Sequence, residues 1–184
     1  MDTRSKIIDI ATALFQQKGY KSVGVTEILK ECKISKGSLY HHFPNGKEEI
    51  LIACLKSVSE SIITIVKNVY KEYPTTLVAT QAMIEKMVAD FERDGTIAGN
   101  TITSIVSEMG TLSESVRIVC ADLYTRIQEI LAKKLVSDGF SEAEAHSIAL
   151  TMTTSFEGGI MLCLTYQSSD PLKTISHVLP KLLN

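Results

Sequence analysis

The residues best equipped for chemistry crowd into one short stretch, Lys36, Ser38, Tyr40, His41 and His42. All of them donate hydrogen bonds or can carry positive charge. Among them only Leu39, with Phe43 four residues on, is apolar. On a helix, positions four apart share a face, so Leu39 and Phe43 serve as anchors and the rest address a polar partner. The chemistry on offer is recognition of an anion-rich surface. It is not turnover. Adjacent residues on a helix point about 100° apart, which makes His41-His42 a poor metal site. No G-x-S-x-G and no H-E-x-x-H occurs, and Gly158-Gly159 follows no strand that would make it a phosphate loop. Neither an enzyme, nor a cofactor, nor a bound metal is expected.

The flanking residues must position this stretch. Val25 to Cys32 reads as a helix capped by the Thr26 hydroxyl, with Ile28 and Leu29 as its apolar side. Lys33-Ile34-Ser35 makes a tight link, and Ser35 is placed to cap a second helix from Lys36 to Phe43, which Pro44 stops. Two short helices around a three-residue turn form a helix-turn-helix, whose second helix enters the DNA major groove. Lys36, Gly37 and Ser38 then approach base edges: Lys36 donates to guanine acceptors and Gly37 lets the backbone come close. Thr26 and Lys47, at the starts of the flanking helices, hold phosphates and set register.

The run KGSLYHHFPNGKEEIL resembles the DNA-binding signature of TetR-family repressors, and Ser5 to Lys18, ending at Gly19-Tyr20, is similar to that family's first helix. The likeness is specific over roughly the first 60 residues. Many members carry Lys directly after Pro-Ser, whereas here Asn45-Gly46 precedes Lys47. That version resembles a branch of antibiotic- and multidrug-resistance repressors of the lincomycin-resistance-regulator type. The resemblance implies that Tyr40, His41 and His42 contact phosphates or bases and that Lys47 is the fourth-helix phosphate contact. It further implies a homodimer on a palindromic operator in double-stranded DNA, released by a small apolar or cationic effector. A helical binding or scaffold protein without effector response is the open alternative.

Charge distribution agrees with a DNA-facing end. The 184 residues carry a net −2 overall, yet residues 1–47 hold eight Lys/Arg against four Asp/Glu and residues 48–184 hold eleven against seventeen. A basic end on an acidic body directs one face to DNA. Cys32, Cys54, Cys120 and Cys163 are widely spaced and sit in apolar patterns, as buried free thiols do. MDTRSK has no apolar signal core and no uninterrupted apolar run of about 18 residues exists, so the expected compartment is the cytoplasm, with no membrane partner.

Gly and Pro divide the rest into helix-length segments, giving an all-α chain of about nine helices. An N-terminal three-helix DNA-binding bundle spans 1–47, with its motif at about 25–44; a helical ligand-binding and dimerisation domain spans 48–184. The helix from Lys47 toward Pro74 carries Leu51, Leu55, Val58, Ile62, Ile65 and Val69 at helical spacing. Others are expected over 76–93, 99–109 and 111–137, another opens at Ser141, and the last opens at Asp170-Pro171. Thr111-x-x-Glu114 and Ser141-x-x-Glu144 have capping-box spacing.

The final two helices are expected to join two copies in a four-helix interface. The seam would hold Ile148, Met152, Phe156, Ile160 and Cys163 from one helix, and Leu172, Ile175 and Leu179 from the other. Ala145, Ala149 and Gly159 leave room for close approach. A ligand cavity is expected among Met83, Met87, Phe91, Ile102, Ile105 and Met109, joined by Tyr124 and Phe156, since Met adapts to varied ligands. Glu157 would draw a cation to it.

Overall fold

The computed structural model describes residues 2–97 and 113–183. Among these residues it has eight α-helices, a closing 3-10 turn and no strand. They are α1 (Thr3–Lys18), α2 (Val25–Cys32), α3 (Lys36–His42), α4 (Lys47–Glu72), α5 (Thr76–Asp94), α6 (Glu114–Ser137), α7 (Glu142–Tyr166) and α8 (Asp170–Val178), then Leu179–Lys181. The helix expected over 99–109, with Ile102, Ile105, Met109 and the cap residue Thr111, lies outside the described residues.

The chain divides into two compact units, one within residues 1–61 and 101–121, the other within 62–100 and 122–184. In the first, Asp2 Oδ1 accepts the Ser5 N–H at 2.7 Å and caps α1. That backbone bond chiefly holds the Asp2 carboxyl below its ordinary range. Ile7, Ala11, Leu14 and Phe15 are buried at the spacing of one helical face, Ile8 beside them. Gly19, at φ 75, ends the helix, and α1 packs on α2. Glu48 and Glu49 occupy the first turn of α4, where the helix dipole favours acid.

Along α4 the buried stripe departs from expectation. Leu51 and Leu55 are buried, but further on Ile63, Val66 and Tyr70 are buried instead of Ile62, Ile65 and Val69, and Ile65 is exposed. The physical reason is that apolar residues come here in adjacent pairs, so spacing alone leaves the face uncertain by one residue. At α6, Glu114 bonds the Arg117 guanidinium, and the hydroxyl that accepts the Val116 N–H, at 3.2 Å, belongs to Ser113.

In the second unit, Thr75 caps α5 and Gly95 closes it in the left-handed region. Ser141 and Glu144 form the expected capping box of α7. α8 packs against α7 and α5. A Cβ added at Gly159 of α7 would lie 2.5 Å from Ile175 Cδ1 and 3.0 Å from Leu172 Cδ2, so any side chain there must displace the ends of these two α8 residues. A buried polar chain ties α4 to α5: Thr80 Oγ1 donates to Thr76 O at 2.6 Å, which leaves Tyr70 Oη as donor to Thr80 Oγ1 at 2.7 Å. By length and composition α7 could cross a membrane, contrary to the expected absence of such a segment. Its Ser and Thr hydroxyls dilute the apolar run without adding charge, and one of its faces is buried by the protein itself.

Candidate DNA-binding surface

The turn of the motif is built locally. α2 ends at Lys33 in the left-handed region, φ 53, where the Ile34 N–H reaches back to Leu29 O at 3.2 Å. Two residues later Ser35 Oγ accepts the Ser38 N–H at 3.1 Å and starts α3. Leu39 and Phe43 are fully buried as expected, Phe43 closing the helix as its C-cap. Thr26 is a correction. The N-cap of α2 is Gly24, without a side-chain bond, and Thr26 sits inside the helix and exposed. The chain enters its helical conformation two residues earlier than the hydroxyl suggests.

Lys36, Gly37, Tyr40 and His41 are exposed; Ser38 and His42 are half-buried. A Cβ on Gly37 would meet Ser35 Oγ no nearer than 3.9 Å, so packing within the chain does not require glycine there. The His41 and His42 rings meet edge to face at 5.1 Å. The Lys36 ammonium lies 5.9 Å from the Tyr40 ring centre. The same ring lies against Gly46, where a Cβ would come within 3.6 Å of Cε1. Gly46 has φ 70 and turns the chain so that Lys47 opens α4. Lys47 Nζ stands 4.0 Å from the centre of the Tyr20 ring.

Two contributors lay outside the sequence expectation. Arg4 lies over the Phe43 ring at 5.2 Å, and Tyr20 carries Lys47. No local pattern announces either, because each pairs with a residue at least 27 positions away. Cations held over aromatic faces beside a donor-rich helix form a surface for an anionic, hydrogen-bonding partner.

The residues expected to bind a ligand fall into the second unit where they are described. Phe91 is buried, with Met87 packed beside it; Met83 packs on a neighbouring cluster around Met152, and half-buried Phe156 touches both clusters. Tyr124 and Glu157 are half-buried. The residues expected at a seam divide by their burial in the single chain. Met152, Ile160, Cys163, Leu172 and Leu179 are already buried within the chain, Met152 to 1% exposure, and so are spent on packing α7 with its own neighbours. Ile148, Phe156 and Ile175 are half-buried. An apolar groove of about 180 Å³ lies between α7 and α8, bounded by Phe156, Ile175, Val178 and Leu182 among others.

An exposed, cation-bearing recognition helix fixed behind a capped turn defines a helix-turn-helix DNA-binding protein. Residues 7–54 match the model of bacterial regulatory proteins of the TetR family, and residues 76–178 match the C-terminal domain of LmrA/YxaF-like transcriptional regulators. The chain is 35% identical to the uncharacterised HTH-type transcriptional regulator YxaF of Bacillus subtilis (strain 168), over 99% of this chain and 95% of that one. It is 34% identical to the HTH-type transcriptional regulator LmrA of the same organism, over 99% and 97%. This chain therefore belongs to the TetR family of transcriptional regulators, in its LmrA/YxaF-like group, and is a DNA-binding regulator and not an enzyme. The reduced form of E. coli NemR shares its fold, with a TM-score of 0.89 at 22% identity over 100% of this chain and 98% of that one. A TetR regulator from Legionella pneumophila does so at 0.84 and 19%, over 100% and 98%.

Proposed function

We propose that this regulator is a ligand-responsive homodimeric repressor, acting in the cytoplasm on a palindromic operator. Residues 1–47 read the DNA; residues 48–184 bind the effector and hold the dimer. Lys36, Gly37 and Ser38 meet base edges, while Tyr40, His41 and His42 meet bases or phosphates. Thr26 and Lys47 hold the backbone. The observation that carries this reading is α3 itself, anchored by two fully buried residues with its polar side chains outward.

The dimer is supported by the outer face of α7. Leu150, Met161, Leu162 and Tyr166 are exposed there, and Thr151, Thr154, Gly158 and Thr165, exposed with them, add no charge. A long uncharged face of small and apolar residues suits a second copy of the same helix. A two-fold protein asks for half-sites about one helical turn, or a multiple, apart. The effector is a small apolar or cationic molecule bound beside Met83, Met87, Phe91 and Phe156, with Glu157 for the cation. It changes operator affinity only if it binds one conformation better than the other.

Random-site selection is expected to enrich an inverted repeat, and sedimentation at micromolar concentration to give a dimer. A thermal-shift screen of lipophilic and cationic compounds is expected to yield ligands that release that DNA. Ligands that stabilise the protein without changing operator affinity would leave the alternative, a helical binding or scaffold protein without effector response. A selection that returns no enriched sequence overturns the operator reading altogether.

A further inference from the structure

Of the three cations held over aromatic rings among the described residues of the first unit, Lys47 is the nearest to its ring: 4.0 Å, against 5.2 Å for Arg4 and 5.9 Å for Lys36. Its ring is also the one that lies outside the helix-turn-helix. Tyr20 follows Gly19, whose φ of 75 turns the chain sharply at the end of α1. The half-buried ring is braced by the buried Phe15, with centroids 5.4 Å apart and planes at 54°. Burial, with the Glu48 carboxylate, raises the Tyr20 phenol above its ordinary range and keeps it neutral. A neutral, immobilised ring thus lies beneath an ammonium at the first residue of α4.

A lysine arm is long and loses rotamer freedom when it docks on a phosphate. An aromatic face attracts the ammonium through the ring quadrupole while leaving its other side open to an anion. The geometry points to Tyr20 as a positioning residue for DNA binding: its ring pre-places the Lys47 ammonium at the start of α4, where it meets a backbone phosphate, and Tyr20 itself need not touch DNA. This rests on the proposed role of Lys47. It also assigns work to a residue whose place after α1 would otherwise suggest packing alone.

The test is a double-mutant cycle on the DNA enriched by random-site selection, read at several salt concentrations. Tyr20→Leu is expected to weaken binding about 2- to 5-fold, the size of an exposed cation–π contact. In a Lys47→Ala background the same change is expected to have no further effect, and Tyr20→Phe is expected to bind like wild type. Because Tyr20→Leu also disturbs the contact with Phe15, a trifluorinated phenylalanine at position 20 provides a second variant. It retains the ring's shape while draining its face of negative charge, and it is expected to reproduce the weakening with an unchanged melting temperature. Equal losses in both backgrounds, or wild-type affinity with the fluorinated ring, overturn the positioning role and leave Tyr20 a packing residue. A Lys47→Ala protein with full affinity and an unchanged salt slope overturns the phosphate contact and this inference with it. A wild type that binds no DNA overturns the operator reading on which both stand.

Discussion

Ser113 Oγ donates to Glu48 Oε1 at 2.7 Å while accepting the Val116 N–H at 3.2 Å. One hydroxyl thus caps α6 and ties its start to the first turn of α4, one residue from Lys47. Ser113 is buried and its bond to Glu48 is partly so, which gives the contact more weight than a surface pair has. Ser113→Ala removes a cap and leaves Glu48 without that donor. It is expected to cost about 1–3 kcal/mol in urea unfolding. A variant as stable as wild type would make the link incidental.

Lys47 and Lys36 are expected to fail differently. Lys47→Ala should weaken binding to all sequences alike and reduce the salt slope by about one. Lys36→Ala should relax base preference at one operator position, by about 1–3 kcal/mol for a direct bidentate contact. Titration of the selected operator and of single-base variants at two salt concentrations separates the two. Interchanged signatures would reverse the assignment of the two lysines.

The seam on α7 is tested at its exposed face. Met161 is 44% exposed in the single chain, so Met161→Arg should leave the fold intact yet place charge in the proposed interface. Sedimentation is expected to show monomers with a near-native melt of the single chain. Met152→Arg would answer another question, because Met152 is 1% exposed and its replacement attacks the core of the chain itself. A Met161→Arg protein that stays dimeric puts the interface elsewhere.

The two neighbouring glycines of α7 should respond in opposite directions. At Gly159 a side chain collides with Ile175 and Leu172 of α8, and Gly159→Val is expected to destabilise by about 1–3 kcal/mol or more. At Gly158 an added Cβ meets nothing within 4 Å in the single chain, so Gly158→Ala is expected to stabilise the monomer by roughly 0.5–1 kcal/mol through helix propensity, and to do so less, or not at all, where the proposed partner covers this face. Loss of stability at Gly158→Ala would show that this face is covered by a partner subunit. Equilibrium unfolding at several protein concentrations makes that distinction.

Stability should fall in alkali. Burial pushes the Cys54 thiol, which donates to Ile8 O at 3.4 Å, up to about 11 from an ordinary 9.0. The folded value lies above the unfolded one, so the native state favours the protonated thiol. Its contribution is fully present below pH 9 and is lost as pH rises through about 11. The loss is on the order of 2–3 kcal/mol. Burial raises the Tyr70 phenol too, which extends the decline to higher pH. Unfolding at pH 8 and pH 11 is expected to give a smaller difference for Cys54→Ala than for wild type. Equal differences would mean that the thiol is solvated in the folded state.

What the sequence determined by itself is local. Ser35 before Lys36 and Ser141 three residues before Glu144 mark helix starts through bonds that span three residues, and Asp170-Pro171 marks another through the fixed φ of proline. Leu39 and Phe43 mark a buried face within a single helix, so the turn and the second helix of the motif, with its outward donors, were legible. Thr26 was misread because Gly24 offered the chain an earlier entry into the helix. Tertiary structure alone decided the rest. In α4 the adjacent pairs Ile62-Ile63, Ile65-Val66 and Val69-Tyr70 left the inward face to be chosen by neighbouring helices. In α7 apolar and uncharged small residues run around the helix, so periodicity could not tell that Met152 and Cys163 face the chain's own core while Met161 and Leu150 face out. The pairings of Tyr20 with Lys47 and of Ser113 with Glu48 join residues 27 and 65 positions apart. Contacts of that span depend on how helices pack, and no local propensity encodes them.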